Sequence, residues 1–265
     1  MSSVPDQVHV DRLADVATVT LDRPESANSL TSSVKEALLG ALEAVANDRT
    51  VRAVVLTGSG RAFCAGQDLA EHAEALAGDP AHSLSTVSKH YNPIITSIST
   101  MPKPVIGAIN GTCAGAGLGI ALACDLRVAA EGARFVPAFG AIGLTADSGV
   151  SATLPRAVGW SRAMGLLLLG TVIGAEEAAR IGLVHEVVPA DGLGAHVAAL
   201  AARLAAGPTL AYAALKEALW YSASAAMADV LGLEAELQAR LAVTADHRAA
   251  VSAFLEKRPP EFTGS

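Results

Sequence analysis

Three times between residues 51 and 129 the chain passes through a short, mostly apolar run, and residues at helical spacing separate each run from the next. Residues 51–56, 104–109 and 126–129 lack the regular polar alternation of a half-exposed strand and suit strands buried on both faces. Helical spacing marks residues 31–46 (Val34, Leu38, Leu42, Val45), 84–99 and 117–123. Thr31 or Ser32 can accept a bond from the first-turn amides of the first of these helices. Ahead of them, residues 8–13 and 16–21 flank Ala14-Asp15 and read as a β-hairpin. Repeated strand-then-helix units with right-handed crossovers give an α/β core.

The pattern changes near residue 195. Alanine, leucine and charge dominate from there, with helices predicted over 195–206, 208–222 and 227–245 and a shorter one reaching 256. Pro208 sits where a first helical turn tolerates proline. The chain therefore divides into a core over residues 1–194 and a helical region over 195–265. Alanine-rich apolar helices without their own core pack on another subunit; a self-contained bundle is the alternative. A chain of 265 residues can bury roughly three quarters of the surface its unfolded form exposes.

With 51% hydrophobic residues and a net charge of −7, the chain resembles neither a disordered segment nor a binder of nucleic acid or anionic membranes. Cys64, Cys113 and Cys124 are odd in number and form no Cys-x-x-Cys pair, which predicts neither a disulfide framework nor a zinc site. His72, His82 and His90 are irregularly spaced and are expected to be solvated rather than metal ligands. The first six residues show no basic start leading into an apolar run. The most apolar stretch, 163–173, is shorter than the ~20 residues a bilayer needs. The expectation is a soluble, cytoplasmic chain.

Two glycine-bearing turns could carry chemistry. Residues 111–119 (Gly-Thr-Cys-Ala-Gly-Ala-Gly-Leu-Gly) follow a predicted strand and open an apolar helix, where unpaired amides can face a negative oxygen. The lysine and hydroxyl residue of a phosphate loop are missing, and the glycine spacing departs from the dinucleotide fingerprint. Glycines serving only close helix–strand packing are the alternative. Residues 62–69 (Ala-Phe-Cys-Ala-Gly-Gln-Asp-Leu) form a second such turn. There Asp68 and Glu71 suit a capping pair, whereas the Gln67 amide lies beside a glycine and can face a cleft.

These strings, with Arg23-Pro24, Asn28-Ser29-Leu30, Lys103-Pro104-Val105-Ile106, Asn110-Gly111, Ala123-Cys124-Asp125-Leu126, Gly182-Leu183-Val184 and Val187-Val188-Pro189, resemble the enoyl-CoA hydratase/isomerase (crotonase) family over residues 8–258. The resemblance implies a spiral of ββα units, C-terminal helices that assemble a homotrimer or hexamer, and an acyl-CoA thioester as ligand. Coenzyme A would then be part of the substrate, with no separate cofactor. The resemblance also implies that the backbone amides of Gln67 and Ala116 hold the thioester oxygen. Ala65, Asp68 and Leu69, with contacts near Ala27, would bind the coenzyme A portion. Arg23 and Lys257 would meet its phosphates, with a solvated surface role as the alternative for each.

The chemistry within this family depends on side chains. The two glutamates of water-adding members correspond to Gly119 and Phe139, neither of which moves a proton. Asp147 is the carboxylate of the following loop. It or Ser148 could merely cap a helix running toward Arg156, but the string around it is similar to that of epoxyphenylacetyl-CoA isomerases, whose catalytic aspartate it matches. The tryptophan and histidine of chlorobenzoyl-CoA dehalogenases correspond to Phe139 and Asn92, which weakens that reading. The expectation is an isomerase acting through an enolate with Asp147 as acid/base, desolvated by Phe139, Ile142 and Leu144. A hydratase of non-standard mechanism and a catalytically weak acyl-CoA binder are the alternatives. Tyr91 is a candidate for the acyl pocket.

Overall fold

The computed structural model describes residues 7–265; the expectation about the first six residues lies outside them. The chain opens with β1 (Val8–Leu13), β2 (Val16–Leu21) and helix α1 (Ser32–Asn47). β3 (Ala53–Gly58), β4 (Ala62–Cys64), α2 (Leu69–Gly78) and α3 (Asn92–Thr100) follow. The next unit is β5 (Val105–Ile109), β6 (Thr112–Ala114) and α4 (Ala116–Ala123). Then come β7 (Leu126–Ala130), β8 (Arg134–Val136), α5 (Val150–Val158) and α6 (Trp160–Leu169). β9 (Ile173–Gly174), α7 (Ala175–Arg180) and β10 (Glu186–Val188) close the core. Helices α8 (Leu193–Ala205), α9 (Thr209–Ser222), α10 (Met227–Ala242) and α11 (Ala245–Leu255) complete the chain.

The units β3–β4, β5–β6 and β7–β8 each contribute their first strand to one sheet and their second to another. The larger sheet runs β1-β2-β3-β5-β7-β10, and the smaller runs β4-β6-β8-β9. β2, β3, β5, β7 and β10 pair in parallel, whereas β1 forms the predicted hairpin with β2, Val8 opposite Leu21. Successive ββα units therefore wind as a spiral with two sheet faces.

Burial follows the sequence pattern. Every residue of β5 is buried, as is every residue of α4, while β2 alternates with Ala17, Val19 and Leu21 inward. α1 buries Val34, Leu38, Leu42 and Val45 and is capped by Thr31, whose hydroxyl accepts the Val34 amide at 3.3 Å. Together with Phe63, Ile94, Ile98, Phe135 and Leu154 these residues form the main core.

Several expectations change in the structure. The segment predicted as one helix over 84–99 contains a wider π turn at Val87–Tyr91 before α3. The helix predicted over 227–245 stops at Ala242, because Thr244 starts a new one by accepting the His247 amide at 3.1 Å. The division between residues 194 and 195 falls inside α8. That helix lies on the larger sheet, where Leu193, Val197, Leu200 and Ala201 pack with Val55, Ile106, Ala108 and Val128. α9 is bound to the core as well: buried Lys216 donates to the Ile98 carbonyl at 2.7 Å and to Asp125 Oδ2 at 2.8 Å. Lys216 holds the Asp125 carboxyl down, but burial dominates and pushes it above the usual aspartate range. No single helix among the described residues is long and apolar enough to cross a membrane.

Candidate active site

The loop after β2 is shaped by Ala27 and Asn28, two consecutive residues with left-handed backbone (φ 51° and 57°). Asparagine tolerates that region better than most residues. Its buried side chain earns the conformation: Oδ1 accepts the Arg23 amide at 2.8 Å, and Nδ2 donates to the carbonyls of Ser59 (2.9 Å) and Ala62 (2.7 Å). The loop in turn holds the Gly66-Gln67 turn. Ala65 N–H donates to Ala27 O at 3.0 Å, Leu30 N–H to Gly66 O at 2.8 Å and Asp68 N–H to Leu30 O at 3.2 Å.

That pattern skips one donor: the Gln67 amide has no acceptor among the described residues. Gly66 adopts φ +88°, and a Cβ there would lie 2.8 Å from the Ala114 carbonyl oxygen and 3.2 Å from the Ala116 nitrogen. The turn after β4 therefore abuts the start of α4. Ala116 is the first residue of α4, so its amide has no intrahelical partner. The preceding Gly115 has φ 51° and ψ −123°, a conformation open to glycine. Two unpaired amides thus project from neighbouring strand ends, since Cys64 of β4 pairs with Cys113 of β6 and each donor lies three residues further on.

The Asp147 turn packs against the other side of α4. A Cβ on Gly119 would overlap Ser148 Cβ and lie 2.6 Å from the Ser148 carbonyl oxygen. Ser148 (φ 50°) and Gly149 (φ 73°) form a left-handed pair. α5 starts from Gly149 with no side-chain cap, and Arg156 donates instead to Ala223 O, so the capping expectation for Asp147 and Ser148 does not hold. Asp147 is half-buried and accepts Ser148 Oγ–H at 2.8 Å. Burial raises its carboxyl above the usual aspartate range, the Ser148 bond opposing it. Phe139 is buried and Leu144 half-buried, but Ile142 is 57% exposed and contributes little to that desolvation.

The residues offered to coenzyme A are placed differently from one another. Arg23 donates through Nη1 to Ser29 O at 2.8 Å and Asp68 Oδ2 at 3.2 Å, so its guanidinium is engaged within the protein. Asp68 caps α2 by accepting the Glu71 amide at 3.2 Å, and its carboxyl is held down chiefly by Ser29 Oγ–H at 2.8 Å. Ala65 and Leu69 flank this capped turn, with Leu69 exposed, and Ala27 lies across from it. Lys257 is exposed at the end of α11.

His82 is exposed as expected. His90 corrects the expectation of solvation: it is buried, with Nδ1 2.9 Å from Thr86 Oγ1, and desolvation lowers its basicity. Lys35, absent from the sequence-based expectations, is fully buried and donates to Gln67 Oε1 at 3.1 Å. The signal lies in its spacing, three residues before Leu38 and seven before Leu42, within the apolar stripe of α1. Tyr91 is buried too, and its hydroxyl donates to the same Gln67 oxygen.

A two-sheet ββα spiral, with two free amides at the ends of β4 and β6 and a half-buried carboxylate on the loop packed against α4, defines the class: a crotonase-fold protein. The chain belongs to the enoyl-CoA hydratase/isomerase family, whose sequence model matches residues 11–265. It is 48% identical over 251 residues to a Rhodobacter capsulatus protein named "Probable enoyl-CoA hydratase", covering 94% of this chain and 95% of that one. It is 42% identical over 257 residues to the 1,2-epoxyphenylacetyl-CoA isomerase of Escherichia coli, covering 97% of each. The crystal structure of an enoyl-CoA hydratase/isomerase-family protein from Mycobacterium abscessus superposes with a TM-score of 0.93 at 49% identity, covering 97% of this chain and 100% of that one.

Proposed function

We propose that this acyl-CoA enzyme is an isomerase in which Asp147 moves a proton between two carbons of the acyl group. The carboxylate takes a proton from a carbon next to, or conjugated with, the thioester carbonyl. The electron pair shifts onto the thioester oxygen, which the Gln67 and Ala116 amides stabilise, each by about 3 kcal/mol. Returning the same proton at another carbon restores the thioester and leaves the double bond displaced. One carboxylate suffices for this; hydration by the usual route needs two. The observation that carries the reading is Ser148 filling the space where a side chain on Gly119 would stand; the other position matched to a glutamate holds Phe139, which cannot move protons.

The substrate is proposed to be a coenzyme A thioester, with no further cofactor. The relative in Escherichia coli makes a ring-derived acyl group one class to test. Exposed Leu215 and Leu219 on α9, Met227 and Leu231 on α10 and Phe254 on α11 favour a homotrimer or a pair of trimers, since a lone chain rarely leaves so much apolar surface open. Incubation with a 3-enoyl-CoA, with 1,2-epoxyphenylacetyl-CoA and with crotonyl-CoA tests the reaction. Growth of the enoyl-thioester absorbance from the first substrate, or conversion of the second, is expected. Crotonyl-CoA hydration well above ~10 s⁻¹ without either isomerisation would favour the hydratase named in the Rhodobacter relative.

A further inference from the structure

We infer that Lys35 is a positioning residue for the Gln67 oxyanion donor, acting through the Gln67 side chain. The inference rests on the oxyanion role proposed above. Lys35 has no exposed surface, and its ammonium sits where four segments meet. It donates to Gln67 Oε1 at 3.1 Å and Thr86 Oγ1 at 2.7 Å, lies 3.5 Å from Glu71 Oε1 and stands 5.2 Å from the centre of the Tyr91 ring. The Tyr91 hydroxyl donates to the same Gln67 oxygen, while Gln67 Nε2 donates to Asp68 O at 3.3 Å. Both ends of the Gln67 side-chain amide are therefore tethered, which restrains the residue whose backbone N–H is free. Without the ammonium, one of the two donors on that oxygen is gone, and the turn loses its tie to Thr86.

A buried lysine is costly, because desolvation penalises its charge. Desolvation lowers the Lys35 ammonium from the ordinary 10.5, against the opposing charge of Glu71. The other groups facing it are Asp68 and Glu71 at the start of α2, Glu36 on α1, and His90 and Tyr91 ahead of α3. His90 is neutral well below that range, and burial drives the Tyr91 phenol far above its usual value. Among them, Lys35 is the cation whose charge burial makes easier to remove as pH rises.

Lys35→Met keeps the length and much of the packing but leaves Glu71, Gln67 Oε1 and Thr86 Oγ1 without the ammonium, so a lower melting temperature is expected as well. The probe is a 4-dialkylaminocinnamoyl-CoA, an unreactive thioester whose absorbance moves to longer wavelength when its carbonyl is polarised. The expected result is binding by wild type with a red shift, and binding by Lys35→Met with a smaller shift. With a turnover substrate, kcat should fall about 10-fold with KM changed less than about 3-fold, since the loss is felt in the transition state. The red shift of wild type should also decline as alkaline pH removes the Lys35 charge, and that decline should vanish in the variant. Should Lys35→Met fail to fold, Thr86→Val, which removes the ammonium's other anchor, should shrink the shift. An undiminished shift in a folded Lys35 or Thr86 variant overturns the inference. Binding without any shift in wild type overturns the oxyanion reading itself.

Discussion

Replacing Gly119 by alanine asks whether Ser148 occupies the place of a second carboxylate. A Cβ at that position would lie 2.6 Å from the Ser148 carbonyl oxygen, about 0.8 Å short of the 3.4 Å at which ordinary contact begins. The obstacle is backbone in a left-handed turn, Ser148 at φ 50° and Gly149 at φ 73°, so it cannot swing aside as a flexible side chain would. Overpacking of this kind costs ~1–3 kcal/mol. For a chain of this size that is a fall of roughly 2–4 °C in melting temperature per kcal/mol. Asp147 is covalently next to the displaced residue, and a misplacement near 1 Å can cost about 100-fold in rate. Thermal unfolding by circular dichroism, read beside isomerase turnover, checks both effects. The control is Gly40→Ala on the exposed face of α1, where nothing lies within 4 Å and a gain of ~0.5–1 kcal/mol is expected. If Gly119→Ala melts with wild type and turns over normally, Ser148 does not hold that space and the argument against a glutamate there collapses.

Asp147→Asn should retain acyl-CoA binding while isomerisation falls at least ~100-fold. Because burial raises the Asp147 pKa in the folded chain, its contribution to stability is present below the unfolded pKa and is lost as pH rises through the folded one. The asparagine variant should therefore melt higher than wild type at neutral pH and lose that advantage in acid; a lower melting temperature at pH 7 would contradict the raised pKa. Ala116→Pro removes one free amide at a position where a helix accepts proline, so a folded variant should lose about 100-fold in turnover; unchanged turnover would remove Ala116 from the site. Lys216→Met strands the Asp125 carboxylate and should cost roughly 3 kcal/mol, visible as a lower denaturation midpoint, whereas the joint Lys216→Met, Asp125→Asn variant should recover part of it.

The repeated runs at 51–56, 104–109 and 126–129 made the larger sheet legible, because strands buried on both faces need little but apolar residues. The second sheet was not legible from the residues. β4, β6 and β8 are three residues each, too short for a periodicity to develop, and only the family resemblance implied them. The glycine turns showed where free amides would lie, since glycine is demanded by close approach and by positive φ. What sequence could not show was the partner of each charge. The bonds from Arg23 Nη1 to Asp68 and Ser29 are invisible until the loop is folded, and Lys35 looks like a surface lysine until its helix is docked. Capping likewise depends on where a helix begins: α5 starts from Gly149, two residues too late for Asp147 to cap it.

The pairing of β4 with β6 acts as a gauge for the site. Neighbouring strands lie ~4.8 Å apart, and Gln67 and Ala116 follow the paired residues Cys64 and Cys113 by equal intervals. Two N–H donors each about 2.9 Å from a shared oxygen, meeting it at roughly the tetrahedral angle, stand nearly that distance apart. The sheet spacing is close to the span an oxygen needs to accept from both sides, and the turns through Gly66 and Gly115 carry the two strand ends on to Gln67 and Ala116. Side chains around the cleft can change without recalibrating it. A one-residue insertion between Cys64 and Gln67 would spoil it at once, while leaving every acid and base in place.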